Sequence, residues 1–241
     1  MNLKKKDLLY SGKAKSLFTT DNADWLIVEF RDDTTAFDGG KREALADKGA
    51  VNNQISAYIM QILEKEGVLT HYKERISPYQ SLVRRLKMIP LESVIRNVAA
   101  GSICRRLGVQ VGKTFNPPLY ELFWKNDELH DPLVNENHVV CFEWATQNQL
   151  DQMEQITFKI NKVLTELFAK AGLILVDSKY EFGVSSDGNI YLGDEISPDS
   201  CRVWDEKTYE SLDKDRFRKD LGNVVSSYQR IAELLGISIE F

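Results

Sequence analysis

An α+β protein with two lobes is what this sequence predicts: an antiparallel β lobe followed by a larger mixed α/β lobe. Three observations carry that prediction. Strand-like runs dominate the first part of the chain, at Leu8 to Phe18, Trp25 to Phe30 and Ser81 to Met88. Ile89-Pro90 then interrupts the next apolar run, and proline cannot donate to a ladder, so a connection or an edge is expected there. Beyond it the longest helical pattern, Gln149 to Ala171, feeds a buried strand and a hairpin signal at Asp187-Gly188. The division falls at the proline, giving a nucleotide-covering lobe over 1–88 and a lobe over 89–241 carrying metal and substrate sites.

Taken in order, the first two strands meet at the polar turn around Asp21-Asn22. Within the first lies YSGKAKS, Tyr10 to Ser16, whose glycine lets backbone approach a ligand and whose Lys13 and Lys15 share a strand face. Such a segment suits a phosphate-covering hairpin, although lysines also guard exposed edge strands. Arg31 to Gly40 reads as a polar loop, with Asp38 and two glycines as a tight turn. Val51, Ile55, Tyr58, Ile59, Ile62 and Leu63 recur at helical spacing, so a helix is expected from Val51 to Glu66, closed by Gly67. Leu91 to Ile95 is a strand, after which Ser102 should cap a short helix, Ile103 to Leu107, ending at Gly108. A capped helix start beside Arg96 is a ready anion site, or an ordinary cap with a solvated arginine. Pro117-Pro118 punctuates the next stretch, Leu119 to Trp124 is strand-like, and Lys125, Asp127 and Asp131 crowd a polar loop. A last helix is expected from Lys214 to Leu235, stopped by Gly236.

Composition excludes several classes. A hydrophobic fraction of 43% with 28% charged residues is ordinary for a globular chain, and a net charge of −5 argues against nucleic acid as the main partner. No apolar run reaches the roughly 20 residues of a membrane helix, and three lysines near Met1 precede no apolar signal segment, so a cytoplasmic protein is expected. Cys104, Cys141 and Cys201 show neither metal spacing nor a disulfide framework, and His71, His130 and His138 form no ligand pair.

The densest chemistry lies in Leu173 to Trp204. Leu173 to Val176 is a short apolar strand, and alternation then puts Asp177, Lys179 and Glu181 on one face with Tyr180 and Phe182 on the other. A two-residue turn at Asp187-Gly188, both residues at positive φ, would oppose Ser186 to Asn189 and Glu181 to Asp194. Directly opposed acids repel by about 1 kcal/mol in water and roughly 3–4 kcal/mol at an effective dielectric of 20. Either Mg²⁺ sits between them, taking the oxygen ligands it prefers, or Lys179 neutralises Glu181 while Asp194 is solvated.

The motifs together resemble the SAICAR synthetases, the phosphoribosylaminoimidazole-succinocarboxamide synthases of purine biosynthesis. The matching stretches are YSGKAK (Tyr10 to Lys15), TTAFD (Thr34 to Asp38), KGAVNNQIS (Lys48 to Ser56), IRNVAAGS (Ile95 to Ser102), PPLYELFWKNDELHDP (Pro117 to Pro132), LVDSKYEFG (Leu175 to Gly183), GDEISPDSCRVWD (Gly193 to Asp205) and DKDRFR (Asp213 to Arg218). They run in family order over nearly the whole chain; Thr35, where the family more often has serine, is the clearest departure.

The resemblance implies ATP in a cleft between the lobes and an ATP-dependent ligase. Such an enzyme joins L-aspartate to carboxyaminoimidazole ribotide (CAIR) through an acyl phosphate. Two other classes weigh against it: a small-molecule phosphotransferase with a related nucleotide site, and a non-catalytic nucleotide-binding module. No H-R-D or D-F-G arrangement supports a kinase. The resemblance further implies that Glu181 and Asp194 hold Mg²⁺-nucleotide and that Lys13 and Lys15 cover its phosphates. The connection from Lys87 to Glu92 would lie beside adenine, with Lys125 adding to nucleotide or acyl-phosphate binding. Arg96, Ser102 and Arg202 would take the ribotide phosphate, Lys179 and Asp177 would lie by the reacting carboxylate and amine, and Asp38 would help close the site. A homodimer acting on small molecules, with no nucleic-acid or membrane partner, is the implied assembly.

Overall fold

The computed structural model describes residues 3–36 and 40–241, so the expected turn at Asp38 lies outside the described residues. β1 (Lys5–Ser11), β2 (Lys15–Thr20) and β3 (Trp25–Phe30) build an antiparallel sheet with β6 (Tyr72–Arg75) and β7 (Gln80–Arg84), in the order β1-β2-β3-β7-β6. The single strand expected over Leu8 to Phe18 is a hairpin. The chain reverses at Gly12–Ala14, where the Gly12 N–H donates to the Lys15 carbonyl (2.8 Å) and Ser11 opposes Ser16. Lys13 therefore sits in the loop and does not share a strand face with Lys15. Part of the loop expected after Arg31 is a ladder of β4 (Asp33–Ala36) with β5 (Lys41–Ala44).

α1 (Lys48–Lys65) begins three residues before the periodicity suggested, because Lys48 is itself buried, and Gly67 follows its end at φ 74°. Its Val51, Ile55, Ile59 and Leu63 belong to one apolar core with the second half of the chain, whereas Leu26, Val28, Phe30 and Val83 form a small core of their own.

The chain changes sheet between Arg84 and β8 (Lys87–Val98). With β9 (Thr114–Trp124), β10 (Leu133–Val134), β11 (Leu173–Val184) and β12 (Ile190–Gly193), β8 forms the order β10-β9-β8-β11-β12, and β13 (Cys201–Asp205) also pairs with β11. Pro90 does not break β8 as expected. It falls where the β8–β11 register slips between Glu181↔Glu92 and Gly183↔Met88, and beyond the last β9 partner, Trp124 opposite Leu91. No ladder bond is asked of the N–H donor it lacks.

α2 (Ser102–Leu107) starts after Gly101, and Gly108 closes it in the left-handed conformation. α3 (Glu136–Cys141) leads into α4 (Gln147–Lys170), which starts two residues earlier than the apolar pattern because Thr146 and Gln149 form a capping box. Leu150, Met153, Ile160, Leu164 and Phe168 of α4 pack into the main core. The expected last helix is two: α5 (Asp215–Arg218) and α6 (Val224–Leu234). Between them Asp220, Gly222 and Asn223 adopt positive φ, which no continuous helix allows.

Two features of this topology make a site. The sheets are joined through backbone where Thr70 bridges Leu192 and the His71 N–H donates to the Leu192 carbonyl (2.8 Å). β12 and β13 share one edge of β11, so the chain between Gly193 and Cys201 connects two stretches of that edge, rejoining it where the Lys179 N–H donates to the Ser200 carbonyl (3.0 Å).

Candidate active site

A cleft of about 1080 Å³ opens between the β1–β2 hairpin and the β8–β11 face. It gathers Lys13, Lys15, Glu92, Lys125, Lys179, Glu181 and Asp194 from separate elements, together with Glu195, Asp199, Ser200 and Lys214. Leu17, Leu26, Val28, Met60, Val83 and Met88 give it an apolar wall. The Lys87 side chain is exposed and outside that lining; its neighbours Leu86 and Met88 are within it.

The hairpin register differs by one residue from expectation: Glu181 opposes Gly193, not Asp194. The turn explains the shift. Gly188 donates to the Ser185 carbonyl (2.9 Å) and Ser185 to the Asn189 carbonyl (3.1 Å), so the loop is longer than two residues. Gly188 alone has positive φ (82°), while the Asp187 carboxylate accepts from the Asn189 N–H (3.0 Å) and the Tyr191 hydroxyl (2.6 Å).

Glu181 instead faces a like charge on its other side, Glu92 of β8. Lys179 offsets the pair, donating to Glu92 Oε1 (2.8 Å) and Glu181 Oε1 (2.9 Å), and Lys125 takes Glu181 Oε2. Burial works against the Lys179 ammonium, but Glu181, Glu92 and Asp194 outweigh it and hold its pKa well above the usual lysine value. Burial, reinforced by Glu181, pushes the Glu92 carboxyl up despite Lys179. Asp194 sits at φ 58° just past β12, and its carboxylate pairs with Lys15, which also contacts Glu195. Burial opposes its ionisation, yet Lys15, Lys179 and Lys125 hold it below the usual carboxylate range. Lys179 thus neutralises Glu181, as one alternative had it, but Asp194 is paired with Lys15 and not left to solvent.

Two strand positions along β11, Asp177 organises a second cluster. Its Oδ2 accepts from Arg96 Nη1 (2.7 Å) and Arg202 Nη1 (2.8 Å). Arg96 also bonds Glu121 Oε2 (2.7 Å) and the Ser102 hydroxyl (3.2 Å), so Ser102 binds the arginine and does not cap α2 as expected. Arg202 reaches Asp215 Oδ2 (3.2 Å), and its guanidinium packs so closely on Gly101 that a Cβ there would lie 2.4 Å from Nη2. Asp177 is 4% exposed, so its carboxylate holds the arginines in place.

Sequence reasoning missed two groups. Lys48 of α1 donates to Asp199 Oδ2 (2.7 Å), and Asn52 (2.9 Å) and the Tyr228 hydroxyl (2.8 Å) complete that carboxylate's shell. Lys214 lines the cleft at the start of DKDRFR; burial, despite Asp199 and with Arg218 and Lys48 reinforcing it, lowers its pKa to about 8. The quoted motifs contain both lysines, but burial is invisible in a motif.

Among the described residues no three acids, histidines or cysteines converge to hold a metal alone. Carboxylates on the cleft face do suit Mg²⁺, which typically takes one or two carboxylates and completes its shell with phosphate and water. The set Glu181 and Asp194 fits that habit: hard oxygen donors already placed among cations that a nucleotide's phosphates could share.

The comparisons with known proteins agree over the chain's length. The family model described as SAICAR synthetase matches residues 8–235. A phosphoribosylaminoimidazole-succinocarboxamide synthase of Coxiella burnetii is 65% identical over 99% of both chains. The crystal structure of the synthase of that name from Ehrlichia chaffeensis superposes with a TM-score of 0.95 at 41% identity, covering 97% of this chain and all of that one. A SAICAR synthetase in complex with ADP superposes at 0.93 with 45% identity, over 96% and 99% of the two chains.

Proposed function

Because the chain belongs to the SAICAR synthetase family, we propose that its cleft holds Mg²⁺-ATP beneath the hairpin with CAIR beside the arginine cluster. The activity is that of the family: ATP-dependent ligation of L-aspartate to CAIR, giving SAICAR, ADP and phosphate in purine biosynthesis. The single observation that carries the arrangement is the meeting of Lys15, Lys125 and Lys179 with Glu92, Glu181 and Asp194 in one cleft, next to the Asp177-centred arginines.

A carboxylate resists attack by an amine, and phosphorylation gives it a leaving group. In this reading the CAIR carboxylate takes the γ-phosphoryl group, ADP departs, and the aspartate nitrogen then displaces phosphate at the acyl carbon. Lys179 is next to that carboxylate, where its raised pKa keeps it a cation that offsets charge on the transferring group. Lys13, Lys15 and Lys125 bind the nucleotide phosphates, giving up their carboxylate partners Asp127, Asp194 and Glu181 in part. Glu181 and Asp194 would hold Mg²⁺, which supplies charge neutralisation and orientation of the phosphates. Arg202 takes the ribotide phosphate with the Ser102 hydroxyl beside it, and Arg96 and Asp177 position them. The role implied for Asp38 is kept as part of the reading. The reading keeps two lobes, with the change of sheet between Arg84 and Lys87 just ahead of the expected division at 88 and 89, and includes a cytoplasmic location and a homodimer; no helix among the described residues is long and apolar enough to cross a membrane.

ADP release measured with CAIR, with and without L-aspartate, tests the function. Turnover requires aspartate and is not supported by glutamate; aspartate-independent ADP release would mark a phosphotransferase instead. Lys214 adds a pH signature. Only its ammonium form attracts anions, so raising the pH through its pKa of about 8 removes that charge. Because Lys214 lines the cleft, kcat/KM is expected to fall above that point toward a plateau about tenfold lower, the scale of one lost charge-assisted contact. Lys214→Arg moves the decline beyond pH 10; a wild-type profile flat to pH 9.5 would remove Lys214 from anion binding.

A further inference from the structure

Arg31 stands immediately after β3 and outside every role assigned above. Its backbone N–H donates to the Ala14 carbonyl (2.8 Å), continuing the β2–β3 ladder into the hairpin loop. Its guanidinium spans both strands of that hairpin at their closing pair. Nη1 donates to the Ser11 hydroxyl (2.6 Å) and the Ser16 hydroxyl (2.9 Å), and Nη2 donates to the Gly12 carbonyl (2.5 Å). On the far side Nε lies 2.8 Å from Asp33 Oδ2, a charge contact that lacks hydrogen-bond geometry.

The bond to Gly12 has a directional consequence. In a trans peptide the N–H points opposite the C=O of the same plane. Holding the Gly12 carbonyl toward Arg31 therefore sets the Lys13 N–H away from it. The serine bonds meanwhile anchor the residues flanking the loop, and Ser16 is the neighbour of Lys15. A hairpin whose β1 is exposed at every position has little apolar packing of its own to hold this shape. Entropy would otherwise spread the loop over many conformations, at roughly 1–2 kcal/mol per backbone residue ordered.

We propose that Arg31 is a positioning residue for the nucleotide: it pins the Gly12–Ala14 loop to β3 so that Lys13 and Lys15 are presented to the phosphates before ATP arrives. The inference rests on the reading that nucleotide occupies this cleft. Arginine suits the task because its rigid fork serves three acceptors on two strands, which a lysine's single ammonium cannot match in fixed geometry.

Three variants test it. Arg31→Lys keeps the charge and loses the fork; Arg31→Met loses both; Ser11→Ala with Ser16→Ala removes two acceptors and leaves Arg31 in place. Titration calorimetry with Mg²⁺-ADP and steady-state kinetics give the readouts, with thermal melts confirming that each variant is folded. Arg31→Lys is expected to raise the ADP Kd and the ATP KM roughly tenfold, the scale of one lost charge-assisted hydrogen bond. The KM values for CAIR and aspartate should stay within about twofold, as expected for substrates bound by elements that Arg31 does not touch. The serine variant should move the same two nucleotide constants in the same direction. Wild-type nucleotide constants in Arg31→Lys would overturn the proposal. A parallel rise of all three KM values would also overturn it, as would weakening confined to Arg31→Met, which would signify charge alone. Wild-type protein that fails to bind Mg²⁺-ADP would remove the reading beneath it; normal wild-type binding with an unaffected Arg31→Lys would remove this inference only.

Discussion

Glu181→Gln is expected to lower kcat by about a hundredfold or more, the scale set by losing one preorganised charge-stabilising group, while leaving the protein folded. The side chain is buried against β8, where it opposes Glu92, and it accepts from both Lys179 and Lys125. Glutamine keeps the shape and one acceptor but presents an amide in place of the second oxygen. Lys125, partly exposed, can turn to solvent, and Lys179 retains Glu92. Relief of the Glu92–Glu181 repulsion offsets much of what is lost, so the melting temperature should change by no more than about 3 °C, roughly 1 kcal/mol for a chain of this size. Such a site holds charges arranged for ligand at little benefit to stability. The Mg²⁺ dependence of turnover should move to higher concentration in the variant. Wild-type kinetics would take Glu181 out of the metal and nucleotide site.

Lys48→Met should do the opposite and strike stability first. The Lys48 and Asp199 side chains are 1% and 5% exposed, and among the described residues each is the other's charged partner at contact distance. Removing the cation leaves a buried carboxylate with Asn52 and Tyr228 as its hydrogen-bond donors and Lys214 as its remaining, more distant cation, at a cost of about 3 kcal/mol. The melting temperature at pH 7 is expected to fall by roughly 10 °C. Burial opposes ionisation of Asp199, but Lys214 and Lys48 hold its pKa well below the usual range. A depressed carboxylate contributes stability that is present above its unfolded pKa and lost as the pH falls through the folded one. The deficit of the variant should therefore narrow as the pH drops below about 4, where the unfolded carboxyl protonates. A melting temperature within 2 °C of wild type at pH 7 would mean that water or another cation replaces Lys48. The Lys13–Asp127 pair shows why burial decides: at 53% and 80% exposed it is worth under about 1 kcal/mol to stability, whatever it does for the cleft.

Local patterns in the sequence were sufficient where the physics is local. The alternation that put Tyr180 and Phe182 opposite Glu181 holds, with both aromatics in the core. The α1 stripe, the Gly67 and Gly108 helix ends and the α4 pattern hold within a few residues, because side-chain period and glycine's access to positive φ are properties of a few neighbouring residues. The family-like motifs also named the residues that the fold gathers into the cleft.

Tertiary structure decided the rest. Leu8 to Phe18 reads as one strand, yet Arg31 and the ladder to β3 stabilise a reversal at Gly12. An Asp-Gly pair permits several turn lengths, and the bonds that the Asn189 N–H and the Tyr191 hydroxyl donate to the Asp187 carboxylate select the longer one, which moves Glu181 from Asp194 to Gly193. Ser102 looked like a helix cap because caps are local; Arg96, brought alongside, claims its hydroxyl instead. Lys48 and Asp199 are 151 positions apart, and neither carries a local sign of burial. By itself the sequence determined the fold class and the family. Which acid meets which lysine was settled only by folding, because the energy of a charge depends on its burial and partners, and those come from strands and helices remote in the chain.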